Sequence, residues 1–377
     1  MQRRAVILSG SLGLGHDVIS EVLTSSLERL GWECRTLDCM AMLGPFNAKV
    51  GDRVFRRLTS MPGLYDSLHF AHLRPGSRLA RAMDASATKR LVPALRAELA
   101  AEPADLVISA FATGASAAAK LAQGSVAHRT MVICTDVCVY RFWVWEQIDL
   151  YLVTSQAAAA SVRRYVPHAR IAIVPPPVRE AFYRAPTQTE ARRALGVPED
   201  ARCVLLMGGG WGLGPLATTA RALVEDGVCV LAVAGRNEKL LERLRTVAVG
   251  SPRLEVFGFT DRVPELMAAA DVVVSTPGAT TCSEARVVGR PLVLLDAVPG
   301  HGRENLQHEL ELGDAEAADA SPASVTASVE AVLEKAARPQ GGASRPAGEW
   351  DQAFAGALRT LGLAEPASGR LARRMAV

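Results

Sequence analysis

Short apolar, branched runs recur from end to end of this chain. Alanine- and leucine-rich stretches of helical length separate them. That alternation is the signature of βαβ units on a parallel sheet, so the fold class is α/β. In the first half candidate strands fall at 5–9, 33–37, 106–109, 130–134, 150–153 and 171–174. Pro175-Pro176-Pro177 stops the series, and the segment through Pro186 reads as a linker. A second series occupies 203–207, 228–234, 254–257, 271–275 and 291–295. Lower-complexity sequence rich in Ala, Ser and Pro, 315–348, ends it. A further helical pattern starts at Trp350.

At 377 residues the chain exceeds the size at which one core stops growing. Two Rossmann-like domains are therefore expected, 1–176 and 177–345, with a C-terminal helix in 346–377 crossing back to the first. Basic and acidic residues number 42 and 39, a net charge of +3, which argues against a nucleic-acid binder with its dense basic face. Seven cysteines without paired metal-type spacing suit a reducing, cytoplasmic setting. The N-terminal apolar run is short and leads straight into glycines, so it reads as a first strand, not a signal peptide. No stretch approaches the roughly twenty apolar residues that cross a bilayer. Membrane contact is expected to be peripheral. The insertion at 40–96 is the candidate for it, because Phe46, Phe55, Tyr65 and Phe70 alternate there with Arg53, Arg56, Arg57 and Arg74. An amphipathic helix pair with a solvated basic face gives the same composition.

Three loops carry the chemistry. The first, Gly10-Ser-Leu-Gly13-Leu-Gly15-His16, joins the first strand to a helix expected over 18–30, so its amides face the sheet edge. Gly13, Gly15 and Val18 fall on an imperfect G-x-G-x-x-G frame, and Asp38 follows the second strand where a dinucleotide fold keeps its ribose acid. That combination would suit a nicotinamide-dependent oxidoreductase. His16, at the helix start, is a candidate base or a simple capping residue. The second loop, Gly208-Gly209-Gly210-Trp211-Gly212-Leu213-Gly214, again lies between strand and helix. Its glycines let backbone amides approach a diphosphate. It is no Walker loop, and the chain has no Asp-x-Asp motif, so neither a metal nor another cofactor is expected. In the third region, 275–305, Pro277-Gly278 breaks a strand and a helix is expected to open at Thr280, Thr281 or Ser283. That start places Glu284 in the first turn, where it could simply complement the helix dipole.

Taken together, these motifs resemble the two-Rossmann-domain glycosyltransferases of the GT-B fold. They are closer to the diacylglycerol glycosyltransferases of the monogalactosyldiacylglycerol synthase type, and more distant from the peptidoglycan lipid-intermediate N-acetylglucosaminyltransferase. The resemblance runs from Arg4 to Lys335. It implies that His16 activates the acceptor hydroxyl, with Asp136 beside it and Gly13, Gly15 and Tyr140 on the acceptor side. It also implies that Gly208, Gly209 and Gly210 hold the diphosphate and that Phe259 and Thr260 hold the base. Pro277, Gly278, Thr280 and Thr281 then surround the phosphates, Glu284 grips the ribose, and Glu304 and Asn305 lie near the donor sugar. The chain departs from the family at Tyr140, where a histidine is usual, and at Pro299-Gly300-His301-Gly302, where the pattern is Pro-Gly-Gln-Glu. The expected activity is transfer of a sugar from a UDP-sugar to a hydroxyl of a lipid or other hydrophobic acceptor, with inversion implied by the resemblance. Alternatives are a soluble aglycone as acceptor, the oxidoreductase above, or a UDP-sugar epimerase or sensor on the same frame.

Overall fold

The computed structural model describes residues 2–10, 15–44, 78–123, 128–298, 300–336 and 348–363. Gly13 and most of the basic insertion, 45–77, lie outside the described residues, and with them the aromatic and basic pattern at 46–74. Two six-stranded parallel sheets organise the rest. The first comprises β1 (Arg4–Ser9), β2 (Glu33–Asp38), β3 (Leu106–Ser109), β4 (Arg129–Cys134), β5 (Leu150–Val153) and β6 (Ile171–Ile173), in the order β2-β1-β3-β4-β5-β6. The second comprises β7 (Cys203–Met207), β8 (Cys229–Val233), β9 (Leu254–Phe257), β10 (Val272–Ser275), β11 (Leu292–Leu295) and β12 (Ala315–Ala318), in the order β12-β11-β10-β7-β8-β9.

The apolar runs are continuous because each sheet is covered on both faces. Val6 and Leu8 of β1 enter one core with Leu91, Leu95 and Ala115. Ala5 and Ile7 enter the opposite core with Ile19, Leu23 and Phe354. Successive side chains of one strand point to opposite faces, so a strand between two helical layers has no polar side to show. The second sheet repeats this: Val204 and Leu206 face Leu216 and Val329, while Leu205 and Met207 face Phe182 and Leu266.

Each sheet reverses its direction of growth once. The reversal lies between β1 and β3 in the first sheet and between β7 and β10 in the second. A doubly wound sheet opens its ligand crevice at that point, at the carboxyl ends of the strands. The loops after β1, β7 and β10 all leave from these ends.

Two expectations need correction. The alanine-rich segment from Ala315 is not simply low-complexity sequence: it forms the edge strand β12 and a helix, Pro322–Ala336. Val325, Val329 and Val332 recur at helical spacing and are buried in the second core, a stripe masked by the surrounding alanines and serines. The first helix also starts earlier than expected, at Gly15–Arg29, which puts His16 inside its first turn. The last helix, Glu349–Thr360, lies on the first domain, with Trp350, Phe354 and Leu358 in that domain's core.

Candidate functional site

The glycine loop after β7 closes on itself. Leu213 N–H donates to the Gly208 carbonyl at 2.9 Å, and Gly212 N–H donates to that of Gly209 at 3.1 Å. Gly209, Gly212 and Gly214 have φ of +63°, +60° and +98°, a region closed to most side chains. At Gly208 the constraint is space, since a Cβ there would sit 2.2 Å from the Leu213 carbonyl oxygen. The loop delivers the helix Leu216–Glu225, so amides and a helix N-terminus meet at the switch point.

A cleft of about 480 Å³ separates the domains. Gly15, His16 and Asp136 stand on its first-domain wall. Gly208, Gly209 and Gly210 face them, flanked by Phe259 and Thr260. Pro277, Gly278, Thr280, Thr281, Glu284 and Asn305 complete the second-domain wall. Thus most residues singled out from the sequence converge on one space, although they come from loops far apart in the chain. Two do not line it. Tyr140 stands edge-on to Phe142 and Trp143, with ring centroids 6.2 and 6.4 Å away, and packs on the first core. Glu304 turns to Cys138, whose thiol is pushed up to about 11 by burial first and then by the Glu304 charge and hydrogen bond.

His16 is half-buried. Its ring meets Phe111 edge-on at 5.2 Å and tilts toward Trp143 at 6.1 Å, so apolar walls hold the imidazole at the cleft. Asp17, the next residue, accepts a hydrogen bond from Ser9 Oγ at 3.2 Å.

Glu284 sits differently from expectation. Its helix is Ala279–Val288, capped at Gly278, with no acid in its first turn. The helix opens directly after Gly278, so Glu284 lies in the second turn and faces inward with 3% exposure. Its carboxylate accepts from Arg179 Nη2 at 2.9 Å and Nε at 3.3 Å. Burial pushes the carboxyl up to about 7; Arg179 opposes that shift through its charge and hydrogen bonds, and Glu21 adds to it slightly. A buried acid at a cleft wall, paired among the described residues with one guanidinium, keeps lone pairs for an incoming hydroxyl.

Asp38 is not at the cleft. It caps the short helix Cys39–Met42, accepting from Met40 N–H at 2.8 Å and Ala41 N–H at 3.4 Å. The dinucleotide reading thereby loses its ribose acid to an ordinary helix cap.

Two arginines were missed in the sequence. Arg179 follows the proline linker and reaches Glu284 while lying over the Phe182 ring at 5.0 Å. Arg236 follows β8, and its guanidinium stacks 4.8 Å from the centre of Phe259, which is 61% exposed. Its backbone N–H also donates to the Gly210 carbonyl at 3.0 Å. The available signal was position: Arg236 lies just beyond β8, at the sheet edge where ligands bind, and Arg179 directly follows the proline run and caps the helix Glu180–Tyr183.

Residues 16–178 match the family model of monogalactosyldiacylglycerol synthase, and residues 215–349 match that of the glycosyltransferase family 28 C-terminal domain. This chain is similar to the diacylglycerol glycosyltransferases. A processive diacylglycerol β-glucosyltransferase of Bacillus subtilis is 25% identical over 311 residues, 80% of each chain. A probable monogalactosyldiacylglycerol synthase of Glycine max is 36% identical over 174 residues, 43% of this chain and 32% of that one. The chain thus spans about a third of the plastid relatives it matches. Among solved structures, Arabidopsis thaliana UGT89C1 complexed with UDP-L-rhamnose superposes with a TM-score of 0.60 at 14% identity, covering 91% of this chain and 92% of that one. Acinetobacter baumannii MurG gives 0.52 at 12% identity, covering 90% and 96%. These likenesses show the fold, the GT-B arrangement of two Rossmann-like domains. Among the described residues, no helix is long and apolar enough to cross a membrane.

Proposed function

We propose that the protein transfers a sugar from a UDP-sugar to a hydroxyl of a lipid, diacylglycerol-like acceptor at a cytoplasmic membrane face. The observation that carries this reading is the glycine loop at the second sheet's switch point, opposed across one cleft by His16 and Asp136. The amides of Gly208, Gly209 and Gly210 and the helix N-terminus behind them suit a diphosphate without a metal. Glu284 suits the ribose diol, and the Phe259 ring suits the base. His16 takes the acceptor proton as the hydroxyl oxygen bonds to the anomeric carbon. The carbon–oxygen bond to the diphosphate breaks in the same step, and UDP departs with that electron pair. Attack from the first-domain side, opposite the diphosphate, inverts the anomeric centre.

Calorimetry with UDP, UDP-glucose, UDP-galactose, UDP-N-acetylglucosamine and NADH tests the donor assignment. UDP is expected to bind and NADH not to; the reverse sinks the proposal. With donor established, transfer to diacylglycerol in vesicles is expected to survive EDTA and to be lost in His16→Ala, while UDP affinity stays near the parent value. Near-normal turnover in His16→Ala would remove that residue from the base role. Flotation with anionic liposomes, reversed by high salt, tests the membrane contact.

A further inference from the structure

Asn305 does more than line the donor wall. It stands in the first turns of the helix His301–Glu311, is only 4% exposed, and uses both ends of its amide on the other domain. Its Nδ2 donates to Asp136 Oδ1 at 3.0 Å, and its Oδ1 accepts from Val137 N–H at 3.3 Å. The partners fix the orientation of the amide. A backbone N–H can only donate, so Oδ1 must face Val137 and Nδ2 is left for Asp136; a flipped amide would lose the bond to Val137. Neighbouring Glu304 faces Cys138 on the same first-domain loop, so this turn as a whole meets residues 136–138. Nearby, the start of the first helix approaches Thr280, with Gly15 near its hydroxyl.

We infer that Asn305 is a positioning residue. It clasps the loop after β4 and fixes the Asp136 carboxylate on the cleft wall that also carries His16 only while the donor domain is docked. The inference rests on the proposed transfer for its catalytic consequence, but the clasp itself is a claim about the apo protein. Docking would couple the two walls directly: the residue next to the donor loops is the one that orients an acid on the acceptor wall. A donor-binding domain that swings away would release Asp136, so the acceptor wall would be fully ordered only in the closed form. This differs from direct sugar binding, which would make Asn305 a donor ligand and leave the first-domain loop unaffected.

The test compares the parent, Asn305→Ala and Asn305→Asp in two measurements. The first is hydrogen–deuterium exchange of the peptide spanning 135–139 without ligand. Exchange in Asn305→Ala is expected to rise there and to stay unchanged in β1 and β7. Unchanged exchange at 135–139 overturns the clasp, whatever the protein catalyses. The second is a split of kcat against UDP-sugar affinity. Loss of the hydrogen bond to Asp136 predicts a fall in kcat of roughly 10- to 100-fold, with UDP-sugar affinity within about two-fold of the parent. Asn305→Asp, which sets a second carboxylate against Asp136, is expected to fall further. A parallel loss of UDP-sugar affinity and kcat would instead make Asn305 a donor ligand and overturn the positioning role. Failure of the parent to bind UDP would strike the donor assignment, and the exchange result would still decide the clasp.

Discussion

Glu284 shows how one buried carboxyl reports on the site. Its folded-state value of about 7 lies above the 4.5 of an ordinary glutamate. The native state therefore holds this proton more tightly than the unfolded chain does. The resulting stabilisation is full below pH 4.5 and is lost as pH rises through 7. A gap of that size is worth on the order of 3 kcal/mol. Glu284→Gln removes the titration, so the ligand-free melting temperature is expected to fall less between pH 5 and pH 8 in the variant than in the parent. Identical pH slopes would show that the carboxyl titrates normally. The same substitution replaces one acceptor oxygen with a donor, and the affinity for UDP is expected to drop roughly tenfold or more, measured by calorimetry. Arg179→Ala removes the charge that opposes the upward shift, so the carboxyl is expected to move higher still and the melting temperature to fall most above pH 7.

At the scale of the element, the glycine loop makes a sharper distinction than its composition suggests. Gly208→Ala drives a Cβ into the backbone of Leu213, whereas Gly209→Ala meets only Thr276 Oγ1 at 4.0 Å and is strained by its φ of +63° alone. Gly208→Ala is expected to abolish UDP binding and lower the melting temperature. Gly209→Ala is expected to cost about 1 kcal/mol and to keep measurable UDP affinity. Equal losses in the two would mean that the loop tolerates rearrangement. Such loops were legible in the sequence because backbone geometry demands glycine wherever it occurs, and strands buried on both faces were legible because nothing polar interrupts them. Side-chain meetings were not. Arg179 and Glu284 are over a hundred residues apart, and no local pattern announces their pairing. The register of Glu284 failed for a different reason: several residues at 280–283 could have opened the helix, and it opens one turn before the best capping residue among them. The helix Pro322–Ala336 was hidden because alanine and serine dilute the three valines that bury it.

For the whole molecule, the last helix decides how independent the domains are. Glu349–Thr360 follows the second domain in the chain, yet its apolar face completes the core of the first. Phe354 is fully buried among Ile19, Leu23 and Leu27, and stacks on Trp350 at 5.3 Å. Polar bonds set the register: Trp350 Nε1 donates to Ser26 Oγ at 2.9 Å, and Asp351 accepts from Arg29 at 2.7 Å. The ion pair is nearly half exposed at both ends, so solvent screens it and Asp351→Asn is expected to cost no more than about 1 kcal/mol. The aromatic is another matter, because truncating a buried Phe leaves a cavity that a sheet-backed core cannot collapse, at about 3–5 kcal/mol. Phe354→Ala is therefore expected to lower the first domain's melting temperature by about 10 °C. The second domain builds its core without this helix, so UDP should still raise the remaining, higher transition in the variant. Calorimetric scans of the parent and Phe354→Ala, each with and without UDP, check this. A single transition that moves as one with both the substitution and UDP would mean that the Asn305 clasp binds the domains into one cooperative unit.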